Sequence, residues 1–165
     1  MPLLSVLLAA AALSSSVTGL PSGNETEDVY LGQLATCQES WFDWKDDDRR
    51  MGQFADRFNT NYTRIEEEPA FLPNVPGNVL GFPLVKVYPQ SVGMGVGFSV
   101  QLDGPFAKIR SEVEGRLGKP LECSNSDGMT SCGVELGEKK TVMLTAFGDG
   151  ADAVNLLGCY YYYEK

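Results

Sequence analysis

Cysteine and histidine are the residue types that most restrict the chemistry of this chain. The sequence holds four cysteines, Cys37, Cys123, Cys132 and Cys159, and no histidine. The missing histidine excludes Ser-His-Asp and Cys-His hydrolases and any zinc site with a histidine ligand. The cysteines are too scattered for a four-cysteine zinc site, and an even number of them in an exported chain predicts disulfide bonds. We therefore expect no cofactor.

The cysteine positions favour one of the three possible pairings. Cys123 and Cys132 flank a turn-prone stretch, residues 124–131, and this spacing predicts a bond across a hairpin. Cys37 then pairs with Cys159 and ties the start of a long helix to the last strand. The sequence alone leaves the other two pairings open.

Carboxylates are the remaining side chains that could catalyse a reaction. Two of them can hydrolyse a glycosidic bond together, and the chain offers Asp43, Asp47, Glu66, Asp149 and Asp152. A run of charges on the outer side of a helix is usually only a solvated surface. A carboxylate-dependent secreted hydrolase is therefore the alternative to a protein without enzymatic activity.

Two loops contain oxygen ligands of the kind that calcium prefers. Asp149, Asp152 and Asn155 form one group, and Asn125 with Asp127 forms the other. Neither group has the ligand spacing of the twelve-residue calcium loop. Asp and Gly are also ordinary turn residues, so we predict no metal site there.

A glycine-rich segment, Gly93–Gly97, differs from a phosphate-binding loop. A dinucleotide site needs a helix after its glycines, whereas the period-two pattern here predicts that a strand follows. We interpret Pro89–Gly95 as an exposed, adaptable contact loop. Its predicted contact residues are Ser91, Gly93, Met94 and Gly95.

Four consecutive tyrosines, residues 160–163, form the second candidate contact surface. Alternation along a strand places two of them on each face. One pair is expected to pack under a helix, and the other is a platform for a glycan or a protein partner. We assign Tyr161 and Tyr163 to the contact surface.

The elements that must position these residues follow from apolar periodicity. A helix is predicted from Ser40 to a point before Glu66, and a second helix begins at Pro105 and ends at Gly118. The strands are predicted at Leu84–Tyr88, Gly93–Asp103, Met129–Leu136, Thr141–Phe147 and Leu156–Tyr163. This order predicts an α+β fold, in which two amphipathic helices pack on one face of an antiparallel sheet of about five strands, stapled by two disulfides.

The first residues have the pattern of an export signal. An apolar run followed by small residues predicts a signal peptide over residues 1–19. Residues 20–38 are a polar lead-in or short helix, and residues 39–165 form a single α+β domain. A secreted or periplasmic protein is expected, without a membrane span or lipid anchor after cleavage. Asn24 and Asn61 begin N-glycosylation sequons, whose use depends on the source organism.

The distribution of charge limits the partners. The net charge is −9, and residues 25–68 contribute −7 of it through twelve acidic and five basic side chains. Nucleic acids and anionic membranes require a positive surface, so both are disfavoured. We predict an exported, non-enzymatic binding or inhibitory module, with a cationic protein or a glycan as its partner. An envelope structural protein without a discrete site is a further alternative.

Overall fold

The computed structural model describes residues 23–39, 60–92, 95–137, 139–148, 150 and 153–162. These residues form two helices and a mainly antiparallel sheet of nine strands. The helices are α1 (Gly23–Ala35) and α2 (Phe106–Leu117). The strands are β1 (Tyr62–Arg64), β2 (Phe71–Pro73), β3 (Asn78–Val79), β4 (Phe82–Val92), β5 (Gly95–Leu102), β6 (Glu122–Ser126), β7 (Met129–Gly137), β8 (Lys140–Phe147) and β9 (Val154–Tyr162).

The sheet has more strands than the five or so that the sequence predicts. The additional strands are β1, β2, β3 and β6. The first three contain only two or three residues each, which is too short for a period-two pattern. Strand β6 is exposed at all five positions, so it has no buried side chains to alternate with polar ones. The predicted strand count was therefore too low.

The strand order is β1-β2-β4-β5-β9-β8-β7-β6, and β3 pairs with β4 outside this path. Strands β4 and β5 form a hairpin, and β6, β7 and β8 form a meander. The last strand, β9, lies between β5 and β8 and is antiparallel to both. Strand β9 therefore joins the two halves of the sheet.

One face of the sheet contains the core, and we call it the inner face. Val87, Val100, Leu157, Leu144 and Cys132 lie side by side in one row across β4, β5, β9, β8 and β7. All five are fully buried and belong to a single hydrophobic cluster. The same cluster contains buried residues from both helices, namely Leu31, Leu34, Ala35, Ile109 and Val113.

The N-terminal lead-in forms α1, the short helix that the sequence analysis left open. The predicted leader, residues 1–19, lies outside the described residues. Most of the predicted long helix, residues 40–59, lies outside them as well. Tyr62 was predicted at the end of that helix, but it is in β1, paired with Pro73. Any helix in this part of the chain therefore ends before Tyr62.

Helix α2 follows the prediction closely because its signals are local. Pro105, which was predicted to be the first helical residue, is the N-cap residue and has an extended backbone. The helix therefore begins at Phe106, one residue later than predicted. Ile109 and Val113 form the fully buried side of the helix. Gly118 ends the helix at φ 63°, in the left-handed region that glycine adopts without strain.

Both disulfides have the pairing that the sequence analysis favours. Cys123 and Cys132 lie directly opposite each other on β6 and β7, with Cα atoms 4.0 Å apart. Cys37, two residues beyond α1, is bonded to Cys159 on β9 at a Cα separation of 5.1 Å. The second bond therefore ties the end of α1 to the tyrosine strand, and the predicted long helix after Cys37 lies outside the described residues.

Candidate functional site

The predicted contact loop between β4 and β5 is the closed end of a hairpin. Strand β4 extends to Val92, which lies opposite Gly95 of β5. Ser91 and Gly95 are therefore strand residues, and the prediction of a loop there was wrong. Gly93 and Met94, between the two strands, lie outside the described residues.

Ser91 and Tyr161 lie in the same row of the sheet. Ser91 is opposite Val96 on β5, and Val96 is opposite Tyr161 on β9. The pairing thus brings together two residues that are 70 positions apart in the numbering of the chain. The sixth predicted contact residue, Tyr163, lies outside the described residues.

Tyr161 is anchored near the Cys37–Cys159 disulfide. Its side chain is half-buried, and its hydroxyl donates a hydrogen bond to the carbonyl oxygen of Glu39 at 3.3 Å. The ammonium of Lys140 lies 5.6 Å from the centre of the ring. These contacts give Tyr161 a role in packing the chain that follows α1 against β9.

Tyr160 lies on the opposite face of β9, in a different environment. Its ring lies across Gly97 and Gly158: a Cβ atom on Gly97 would lie 2.6 Å from the ring carbon Cδ1 of Tyr160, and one on Gly158 would lie 3.0 Å from the tyrosine hydroxyl. Only glycine leaves room for a ring at these two positions. A ring in this orientation packs one of its faces against the strands.

We call the face that contains Tyr160 the outer face. One of its rows runs from Tyr88 through Ser99, Gly158 and Met143 to Gly133 across five strands. The hydrophobic cluster takes no residue from this row. The outer face of the central strands includes Lys86, Tyr88, Gly97, Ser99, Gln101, Thr141, Met143, Thr145, Leu156, Gly158 and Tyr160.

A polar cluster occupies the β4 side of the outer face. Lys86 forms an ion pair with Glu68, and this hydrogen bond raises the pKa of the lysine. The hydroxyl of Tyr88 lies 3.3 Å from Oε1 of Gln101 and 3.5 Å from Oε2 of Glu68. Burial raises the pKa of the Tyr88 hydroxyl, so it keeps its proton at neutral pH and acts as a donor. The cluster combines donors and acceptors with little net charge.

Ser99 is a buried polar residue at the centre of the outer face. It is fully buried, and its hydroxyl has no hydrogen-bond partner among the described residues. Its neighbours across the sheet are Tyr88 and Gly158. An unpaired buried hydroxyl has a cost of about 1–3 kcal/mol. Because Ser99 is 0% exposed, a buried water rather than a ligand from solvent is the group that could satisfy it.

A second polar site lies between α1, β1 and the segment after β2. A cavity of about 30 Å³ there is lined by Glu27, Asp28, Asn61, Tyr62, Pro73, Val75 and Gly77. Oε2 of Glu27 accepts a hydrogen bond of 2.7 Å from the side-chain amide of Asn61, the residue that begins the second sequon. The amide nitrogen to which a glycan would be attached is therefore a hydrogen-bond donor within the protein.

The described carboxylates do not form an evident hydrolytic site. Glu27 and Asp28 share a cavity that has room for about one water molecule, which is too small for a sugar ring. Glu68 is engaged by Lys86 on the outer face. Within the described residues, no three His, Cys, Asp or Glu side chains form a group that could hold a metal ion. Asp149 and Asp152 lie outside those residues.

Comparison with other proteins adds no assignment, because no family model, characterised protein or solved structure matches the chain. Its function therefore has to be argued from the residues and their arrangement.

Sequence reasoning did not identify the outer face as a site. Gly97, Ser99 and Gln101 are the polar partners of the apolar alternation in β5, and that alternation is visible in the sequence. The sequence does not show that Tyr88 and Tyr160 are their neighbours, because the register of β5 with β4 and β9 decides which residues meet. No local pattern specifies that register.

Proposed function

We propose that the chain is an exported, non-enzymatic binding module that binds a neutral glycan on the outer face of its sheet. The observation that carries the proposal is the Tyr160 ring, which lies across Gly97 and Gly158 beside uncharged hydrogen-bonding groups. A flat aromatic surface packs against the apolar side of a sugar ring, and nearby amides and hydroxyls bond to the sugar hydroxyls.

The groups around Tyr88 and Gln101 favour a neutral ligand over a cationic protein. Lys86 is balanced there by Glu68, and two exposed carboxylates of the outer face, Glu122 and Glu135, lie away from these groups on β6 and β7. The remaining polar groups are the amide of Gln101 and the hydroxyls of tyrosine, serine and threonine side chains. A cationic partner would instead need acidic groups that are free to pair with it.

The arrangement of the helices supports the choice of face. The buried residues of α1 and α2 cluster with inner-face residues, such as Val100 and Leu144. We infer that both helices pack on the inner face, so that neither α1 nor α2 covers the outer face. The half-exposed Tyr88 and Tyr160 side chains agree with this inference.

An extracytoplasmic location is part of the proposal. The two intramolecular disulfides are compatible with an oxidising compartment. Neither of the described helices has the length and apolar character needed to cross a membrane. The hydrolase alternative would need a cleft with two carboxylates about 5–9 Å apart, and the cavity at Glu27 is too small for a substrate.

The proposal is tested with the full chain in its disulfide-bonded form. Isothermal titration calorimetry would measure binding to a panel of neutral oligosaccharides built from glucose, N-acetylglucosamine, mannose or galactose. We expect one of them to bind with an affinity that changes little with salt, because no ion pair forms. Replacement of the ring (Tyr160→Leu) or of the amide (Gln101→Leu) should weaken this binding by roughly tenfold or more.

Tyr161→Phe is the matched control, since it changes the neighbouring tyrosine on the inner face and should leave binding unchanged. Thermal unfolding of each variant checks that the fold is retained. Equal sugar affinity in all variants would contradict the proposal. Binding of none of the sugars, together with salt-sensitive binding of polylysine, would instead favour a cationic partner.

A further inference from the structure

Glu27 is a buried carboxylate that lacks a full set of partners. Its side chain lines the cavity of about 30 Å³, and the residue is only 7% exposed. One oxygen, Oε2, accepts the hydrogen bond from Asn61, whereas the other, Oε1, is buried and has no partner. Among the described residues, no lysine or arginine forms an ion pair with Glu27. Burying a carboxylate without a compensating cation is strongly unfavourable.

A second carboxylate and a tyrosine line the same cavity. Asp28 follows Glu27 on α1, and its Oδ2 accepts a hydrogen bond of 2.8 Å from the backbone N–H of Asn78. Tyr62 is 7% exposed and also lines the cavity. Burial raises the pKa of its hydroxyl, and the charges of Glu27 and Asp28 raise it further. The hydroxyl of Tyr62 is also within hydrogen-bonding reach of the Glu27 carboxylate.

We propose that this cavity binds one calcium ion, with the unpartnered oxygen of Glu27 as a ligand and Asp28 as the second anionic group. The polar groups that line the cavity provide oxygen atoms and no sulfur or imidazole, which is the donor set of a hard cation. A volume of about 30 Å³ holds one water or one bare ion. Magnesium usually keeps several of its waters, for which the cavity has no room.

The composition of the site also sets its expected affinity. It has two carboxylates, and the remaining ligands would be neutral oxygens. Calcium sites with few charges bind weakly, with Kd values of about 10⁻⁴–10⁻³ M in extracellular modules. A site of this strength would be occupied outside a cell and empty in a cytosol, which agrees with the proposed compartment but does not depend on the proposed glycan.

The test is thermal unfolding of the chelator-treated full chain in calcium, magnesium or sodium chloride at matched ionic strength. At a calcium concentration tenfold above Kd, we expect Tm to rise by roughly 3–8 °C. Glu27→Gln should lose this response. In chelator the variant should be at least as stable as the natural chain, because it removes an uncompensated buried charge.

Glu67→Gln removes an exposed carboxylate and serves as the control, which should keep the full calcium response. If Glu27→Gln does not fold, Asp28→Asn replaces it, and calcium binding is then measured by titration calorimetry. The proposal is overturned if calcium raises Tm no more than magnesium and sodium do. It is also overturned if the variant in the cavity binds calcium as well as the natural chain does.

Discussion

At the residue scale, the contact between β5 and β9 depends on glycine residues, which have no side chain. Gly158 is opposite Ser99, and a Cβ atom at position 158 would lie 2.7 Å from Cβ of Ser99 and 2.9 Å from the carbonyl oxygen of Phe98. Neither neighbouring atom is the end of a flexible side chain, so moving either of them away would cost free energy. The close approach of these strands is therefore what allows Tyr160 to lie down on the outer face.

Gly158→Ala should destabilise the fold by about 1–3 kcal/mol, because the added methyl group overpacks the strand contact. Gly115→Ala is the matched control. Gly115 lies inside α2 with open space around the Cβ position, so alanine should stabilise the protein by about 0.5–1 kcal/mol. Urea unfolding measures both changes. A Gly158→Ala variant as stable as the natural chain would show that β5 and β9 are further apart than described.

At the scale of elements, two side chains of α2 hold the connection to β6. Glu114 accepts hydrogen bonds from the backbone N–H of Leu121 at 2.8 Å and from Arg110 at 2.9 Å. Arg110 also donates to the carbonyl oxygen of Leu121 at 3.0 Å. Both backbone groups of a buried residue are thus bonded to the helix, which fixes the direction in which the chain enters the meander.

These bonds predict a dependence of stability on pH. The hydrogen bond from Leu121, and then Arg110, lowers the pKa of Glu114 in the folded protein. A lowered folded pKa contributes stability above the unfolded pKa of about 4.3, and this contribution is lost as the pH falls through the folded pKa. Glu114→Gln should therefore be less stable than the natural chain at neutral pH and nearly equal to it in acid.

Urea midpoints of the natural chain and the variant at about pH 7 and about pH 2 measure this effect. Glu112→Gln is the control on the same helix, because Glu112 pairs with Arg116 in an exposed i,i+4 ion pair of little net value. A stability difference for Glu114→Gln that is as large in acid as at neutral pH would contradict the proposed role of the charge.

At the scale of the whole molecule, the two disulfides constrain the chain to very different extents. Cys37–Cys159 closes a separation of 122 residues, and Cys123–Cys132 closes one of 9 residues. The long bond joins α1 to the central strand β9, whereas the short bond joins two neighbouring strands at the edge of the sheet. The bonds therefore restrict the unfolded chain in different ways.

Loss of the long bond should cost more than loss of the short one. The chain-entropy model gives about 5 kcal/mol for Cys37–Cys159 and roughly 3 kcal/mol for Cys123–Cys132. Paired serine replacements of each bond, compared by urea unfolding, measure the difference. A larger loss for the Cys123→Ser, Cys132→Ser variant would show that packing at the sheet edge, rather than chain entropy, determines the contribution of the bonds.

The sequence by itself determined the features that depend on neighbouring residues. The limits of α2 followed from Pro105, Gly118 and an apolar stripe, and the alternation of β5 marked its buried side. The turn between Cys123 and Cys132 also favoured the pairing that the structure shows, although the sequence left the other two pairings open. Short or fully exposed strands were missed because they bury too little to produce a pattern.

Only the tertiary structure decided where β9 and α1 lie, and with them the two candidate sites. Placing β9 between β5 and β8 brings Tyr160 over Gly97, and docking α1 beside β1 buries Glu27 next to Asn61. These contacts join residues far apart in the chain, through strand register and helix packing that no local pattern specifies. The four cysteines and the missing histidine limit the chemistry, whereas the fold decides which of the remaining polar groups meet.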